Sequence, residues 1–371
     1  MENDFAVTRR RFLASTSCLG VALAAARYFP AAALAEEIAC DRRIAEKPLA
    51  DKGFASIRKI GEGVYATISD PSKGIDTLCN GGFVIGREAV LLVEGYRSPV
   101  GAAFQMDVLR EVSKLPVRAA VDTHYHFDHS MGNTHYGDLG IAVWAHAKAA
   151  PLMVQNYGML QGKDKTEQIE SYEKRVRDAA NETEKQRAQG DLDLFKMIVQ
   201  TIDSSVVALP NHPLEPEKLP VSIDLGGTVA VIETYPGHTP TDLIIRVPDR
   251  NIVFTGDLLF SSMYPVTFDG DVAGWRKTLE KFAGFGKGTL FVPGHGKLCG
   301  QEGIALLRDI FDDLASHAGK MFQAGAPAEE ATRRYTIPER FKNYPVFAWS
   351  FCIGSTMTKL YEEYKTGVSK P

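Results

Sequence analysis

The residues best suited to chemistry sit in one stretch, Asp122-Thr123-His124-Tyr125-His126-Phe127-Asp128-His129. Three imidazoles and a carboxylate crowd together there, a density that a hydrophobic core or an ordinary polar loop seldom needs. Neutral imidazole is a good ligand for zinc-type ions, and a carboxylate completes such a set. In a locally extended chain alternate residues share a face, so His124 and His126 point one way. Asp128 and His129 point elsewhere, which suits a second ion nearby. Three later groups each offer one more donor on a tight glycine-containing loop: Tyr235-Pro236-Gly237-His238, Gly256-Asp257 and Pro293-Gly294-His295-Gly296. Glycine permits the sharp turn that aims such a side chain inward. One loop of this kind is weak evidence, whereas three in series behind the histidine cluster form a constellation.

In the order HxHxDH, GH, GD and GHG, the chain resembles the metallo-β-lactamase superfamily over roughly residues 57–298. The resemblance implies an α/β fold, a four-layer αβ/βα sandwich with the metals at one edge between two sheets. It implies that His124, His126 and His238 hold a first metal, that Asp128, His129 and His295 hold a second, and that Asp257 bridges them. Two Zn2+ ions are the expected cofactors, with iron or manganese as alternatives. Two such ions sharing a water lower its pKa to about 7. The resemblance implies that the hydroxide so formed would attack an ester, thioester or lactam carbonyl, with Asp128 as the catalytic side chain that orients it. Asp257 stands where true metallo-β-lactamases generally carry Cys or Ser, while glyoxalase II-like thioesterases keep Asp. The expected function is therefore a dizinc metallohydrolase. Its rivals are a β-lactamase proper, an iron-dependent oxidoreductase resembling persulfide dioxygenases, and a non-catalytic metal-binding maturation factor. The substrate is a small molecule that the motifs leave unnamed, because fold and metals are shared across many reactions.

The elements that must position these residues follow from periodicity. Residues 57–68 and 82–93 read as strands separated by the turn cluster Asp70-Pro71-Ser72-Lys73-Gly74. Phe104, Val108, Leu109 and Val112 share one face of a helix over 104–115. Val117 to Val121 is a short buried strand running straight into the histidine cluster, and 141–144 is another. Residues 163–189 read as one long charged helix with a thin apolar stripe at Ile169, Tyr172, Val176 and Ala179, ended by Gly190 and followed by a second helix. This hairpin, within helices inserted at about 147–200, suits either surface decoration or a lid. Strands resume at 221–225, 228–235, 243–247 and 251–255, then a helix at 272–282, a strand at 289–292, and helices from Gln301 onward. The expected layout is a metal-binding domain over 36–300 and a helical C-terminal extension over 301–371.

Other candidates receive structural readings. His135, His146, His212 and His317 are expected to be hydrogen-bonded or surface residues, with His212 on a loop. Asp242, four residues after His238, is a candidate either to orient a ligand imidazole or to serve the fold alone. Lys297 is a candidate to face a substrate carboxylate, and Trp275 to line a pocket or fill the core.

Composition sets the frame. The chain has 371 residues, 44% hydrophobic and 24% charged, with a formal net charge of −4. That balance is globular and carries no basic field to attract nucleic acid. The N-terminus reads as an address: Thr8-Arg9-Arg10-Arg11-Phe12-Leu13, an apolar run to Ala26, and the small-x-small pattern Ala33-Leu34-Ala35. It resembles a twin-arginine signal over 1–35, which implies the export machinery as a partner and a periplasmic location. Arg27 interrupts the apolar run, so no stable membrane insertion is expected. Cys18, Cys40, Cys79, Cys299 and Cys352 show neither a CxxC zinc pattern nor a disulfide framework. The sequence does not set the oligomeric state.

Overall fold

The structure is a computed structural model that describes residues 41–160 and 162–371. The expected signal at 1–35, Cys18 and Cys40 lie outside the described residues. Among the described residues, no helix is long and apolar enough to cross a membrane.

Two sheets form the centre. The first runs in chain order through β1 (Ala50–Asp51), β2 (Ala55–Gly61), β3 (Val64–Ser69), β4 (Gly81–Ile85), β5 (Val90–Val93), β6 (Val117–Val121), β7 (Val143–His146) and β8 (His212–Leu214). Pairing is antiparallel up to β5 and parallel from β5 to β8. The second has the order β13 (Leu290–Gly296), β12 (Ile252–Ser261), β11 (Leu243–Val247), β10 (Val229–Thr234) and β9 (Val221–Asp224), with only β12 and β13 parallel.

Period-two alternation builds three cores from these strands. Leu91 and Val93 of β5 meet Leu243 and Ile245 of β11, with Phe254 of β12, in the core between the sheets. Leu92 points the other way, onto Phe104 and Leu109 of α1 (Pro99–Val112). Ile244 and Val253 point outward from the second sheet onto Trp275 and Leu279 of α7 (Val272–Ala283) and Leu307 and Phe311 of α8 (Gln301–Gln323). Helix, sheet, sheet, helix is the four-layer αβ/βα sandwich that the resemblance implies. The segment after Gln301 supplies part of the outer helical layer itself.

Several boundaries differ from the sequence reading. Residues 57–68 and 82–93 are each a hairpin of two strands, because Gly61-Glu62-Gly63 and Gly86-Arg87-Glu88 are turns inside an unbroken apolar pattern. After the short α3 (Asn133–Asp138), the described residues of the inserted region hold three helices, α4 (Ala149–Met159), α5 (Gly162–Arg177) and α6 (Glu182–Ser204). Gly190 lies inside α6 and does not break it. The turn falls before Asn181, whose side chain accepts the Glu184 amide and caps α6. A mid-helix glycine costs only about 1 kcal/mol, and Leu192, Phe195, Val199 and Ile202 are buried along α6. His212 sits on the edge strand β8, its ring stacked 4.3 Å from that of Trp144, and not on a loop.

Candidate metal centre

The donors sit where chains leave strands at one end of the sandwich. β6 runs out through Asp122 into the loop carrying His124 and His126, and Asp128 and His129 follow on a single helical turn, α2 (Phe127–Ser130). His238 occupies the turn between β10 and β11. Asp257 lies within β12, at register shifts flanking Gly256. Gly256 has φ +50°, and an added Cβ there would overlap the Thr123 side chain. His295 lies on β13, one residue after Gly294, where an added Cβ would overlap Asp257 Oδ1. Asn80 fastens this last loop to the first sheet, donating to the Pro293 and Gly296 carbonyls at 2.9 Å each and accepting the Ser69 amide.

All seven expected donors converge, and all are buried. His126 Nδ1 lies 3.1 Å from His124 Nε2 and 2.9 Å from His238 Nε2. Asp128 Oδ2 lies 3.1 Å from His295 Nε2 and 3.6 Å from His129 Nε2. Asp257 stands between the two groups. Its Oδ1 is 3.2 Å from His129 Nε2, and its Oδ2 is 3.3 Å from both His238 Nε2 and His295 Nε2.

The outward-facing ring nitrogens explain why the inward ones are free. A carbonyl only accepts, so His238 Nδ1–H donates to the Val266 oxygen at 2.8 Å and leaves its Nε2 lone pair facing the cluster. Thr123 Oγ1 donates to Glu94 Oε1 at 2.6 Å, so it accepts from His124 Nδ1 at 3.2 Å. His126 Nε2 donates to Asp269 Oδ2 at 3.3 Å. Three nitrogen lone pairs therefore face one another around 3 Å apart with no hydrogen between them. His129 Nε2 and Asp257 Oδ1 are buried without a hydrogen bond of proper geometry. Such orphaned acceptors fit a cation, and each of three subsets of the seven has its ligand atoms within 4.8 Å of one another.

Electrostatics divides the cluster. Burial drives His124 and His126 well below the usual histidine range, with neighbouring imidazoles adding to the effect, and burial lowers His238 too. Burial acts the same way on His129, but Cys79, Glu94, Asp257 and Asp128 overcome it and raise that imidazole well above its usual range. Against burial, Asp257 and Asp128 likewise raise His295 to about 9. Burial alone would raise Asp257, yet His295, His129 and His238 hold its carboxyl well below the usual range. One half of the cluster is thus neutral nitrogen donors, and the other draws positive charge to a buried spot.

A family model described as the metallo-beta-lactamase superfamily matches residues 75–295, which spans every one of these donors. The chain belongs to the metallo-β-lactamase superfamily. Within the superfamily fold, it is similar to the structure of a metallo-beta-lactamase from Pontibacter korlensis, at 16% identity and a TM-score of 0.50, covering 69% of this chain and 98% of that one. The sec-alkylsulfatase Pisa1 from Pseudomonas sp. aligns at 16% identity and a TM-score of 0.57, covering 84% of this chain and 50% of that one. An uncharacterized protein of Mycobacterium tuberculosis is 33% identical over 110 residues, 27% of this chain and 48% of that protein. The match therefore spans about half the length of that curated relative. Members of this superfamily typically bind metal ions, which agrees with the donor set found here.

Three supporting residues escaped the sequence reading. Glu94 is buried at the exit of β5, with Oε1 3.2 Å from His129 Nδ1. Its φ of +77° and the +61° of Tyr96 mark a strained loop around Gly95. A carboxylate ending the apolar run Val90–Val93 was the available signal. Asp269 and the Val266 carbonyl offered none, being loop groups far along the chain. Asp242 takes the structural role of its two candidate ones: its carboxylate accepts the His238 and Thr239 amides and the Thr239 hydroxyl, so it holds the loop's backbone and not the imidazole. His146 accepts the Lys148 amide, and His317 donates to the Ala331 carbonyl. Trp275 is core, its indole N–H on the Leu258 carbonyl and its ring 5.5 Å from that of His238. Lys297 borders a separate small recess and does not line the cavity that opens from the cluster.

The cavity at the cluster, about 710 Å³, opens from His126, Asp128, His238, Asp257 and His295. Residues of α4, α5 and α6 form much of its wall, including Tyr157, Tyr172 and Leu194. The inserted helices therefore cover the site.

Proposed function

We propose that this chain is a dinuclear metal-dependent hydrolase acting on an ester, thioester or lactam. One observation carries the reading: seven buried donors, with mutually facing lone pairs, end a cavity of substrate size. His124, His126 and His238 would hold one ion, Asp128, His129 and His295 a second, and Asp257 both. Bound divalent ions supply Lewis acidity toward the acyl oxygen and a water acidic enough to react at neutral pH. Zinc is the proposed metal, since the set is nitrogen-rich with two carboxylates.

The chain's own residues supply the rest. Asp128 faces the cavity and is placed to orient the attacking water through its carboxylate and to hold the proton that water loses. Asp269 fixes the His126 ring and is itself hydrogen-bonded to the Tyr125 hydroxyl, which also accepts from Asn156 Nδ2 at 2.6 Å. The covering helices limit access of bulk water. The proposal includes export to the periplasm, supported by the Arg9-Arg10 signal pattern; fusing residues 1–40 to a reporter and finding it in the cytoplasm would reject that part.

The test is a panel of esters, thioesters, lactones and β-lactams given to metal-loaded protein. Turnover abolished by chelation and restored by zinc supports the reading. Iron-dependent oxygen consumption without hydrolysis would replace it with the oxidoreductase reading, and metal binding without any turnover with the maturation-factor reading.

A further inference from the structure

The cavity wall beyond the donor cluster has a chemistry of its own. Phe268 lies over the His126 ring at 5.0 Å, nearly parallel, with Phe351 edge-on to it at 5.7 Å. Phe347 meets the His295 ring at 5.1 Å. Phe127, Leu194 and Met197 continue the apolar wall toward the covering helices. Phe268 is 41% exposed, an uncovered aromatic surface at the site itself.

Charge on the wall points the same way. Among the described residues, Lys196 is the only lysine or arginine lining the cavity, and its Nζ is engaged by Glu173 at 2.8 Å. Asp193 and Asp269 line it as well. A second anionic group on a substrate, away from the reacting centre, would meet apolar rings and carboxylates, and among the described residues the one cation on the wall is already paired. Removing such a group from water without a partner is costly.

We propose that the site takes neutral acyl esters or thioesters carrying a long alkyl or aryl group, lodged against Phe268, Phe351 and the covering helices. The proposal rests on the hydrolase reading above. In the reaction the acyl C–O or C–S bond breaks, water gives its hydroxyl to the acyl carbon, and its proton goes to the leaving alcohol or thiol. A cavity of about 710 Å³ is large enough to enclose a molecule of drug size.

The experiment uses full-length, metal-loaded protein and two probe series. The first is 4-nitrophenyl esters of straight-chain acids from two to ten carbons, each with its ω-carboxy counterpart. The second is n-alkyl amides of the same lengths, which resist hydrolysis and whose binding is read by calorimetry. Buried methylenes favour binding by about fourfold each, so kcat/KM and amide affinity should both climb by up to about fourfold per carbon until the cavity fills. The ω-carboxylates should lose about tenfold or more, which is 1.4 kcal/mol at RT of 0.59 kcal/mol. Phe268→Ala, at an exposed position that threatens the fold little, should reduce the gain per carbon in both series. Hydrolysis with no dependence on chain length, or a preference for the ω-carboxylates, would overturn the inference and leave the hydrolase reading standing. Amide affinity that climbs with length while no ester is cleaved would support the ligand class and overturn the hydrolase reading. Flat binding with no cleavage would overturn both.

Discussion

Replacing Asp242 by alanine isolates what holds the His238 loop. Its carboxylate accepts the His238 amide at 2.7 Å, the Thr239 amide at 2.8 Å and the Thr239 hydroxyl at 2.6 Å, all buried. Asp242→Ala strands two backbone donors, each costing about 1–3 kcal/mol, or about 2–6 kcal/mol together. Part of this is offset, because the wild-type carboxyl is itself desolvated, burial pushing it up to about 7. A net loss of about 2–4 kcal/mol remains. At about 2 °C per kcal/mol for a chain of this size, Tm falls by about 4–8 °C. Asp242→Asn keeps an acceptor oxygen of the same shape and should lose under about 1.5 kcal/mol. Calorimetric melting of chelator-treated protein is the assay, since bound metal would add its own stabilisation. If the alanine variant melts within 1 °C of the parent, or the asparagine variant falls as far as the alanine one, the hydrogen-bond account of this loop is wrong.

Three further outcomes are expected. Asp257→Ala lowers metal content more than Asp242→Ala, because the first removes a donor facing His238 of one half and His295 of the other; equal contents by elemental analysis would refute its bridging place. Gly294→Ala drives a methyl into Asp257 Oδ1 and the Gly256 backbone, so metal content and activity fall together, and retention of both would show that the close approach is not required. Asp191, buried on α6, accepts the Ser350 amide at 2.9 Å and Arg175 at 2.7 Å; Asp191→Ala loosens the covering helices by about 1–3 kcal/mol, read as faster limited proteolysis within 162–204, and an unchanged digestion rate would refute the tether.

What was legible in the sequence follows from where the information lies. β6 and β11 were read to the residue because each is a short, largely apolar run with a proline at one end and an aspartate at the other. The donors were legible because imidazole and carboxylate clustered in sequence and followed glycine turns. The paired hairpins were not, since both arms share one alternating pattern and only the turn distinguishes them. The thin apolar stripe read along the inserted helices describes only one of them: the charged text of α5 is solvated, but α6 is anchored by Phe195, Val199 and Ile202. Glu94, Asp269 and Val266 meet imidazoles of the cluster across 28 or more positions, and no local pattern encodes such a contact.

The central claim is that the cluster holds two divalent ions. Elemental analysis of the full chain, loaded with zinc and freed of excess by gel filtration, tests it most directly. Two zinc ions per chain, reduced to at most one by His295→Ala, is the predicted result. One iron per chain that zinc does not displace, or less than one ion of any kind, would contradict the account.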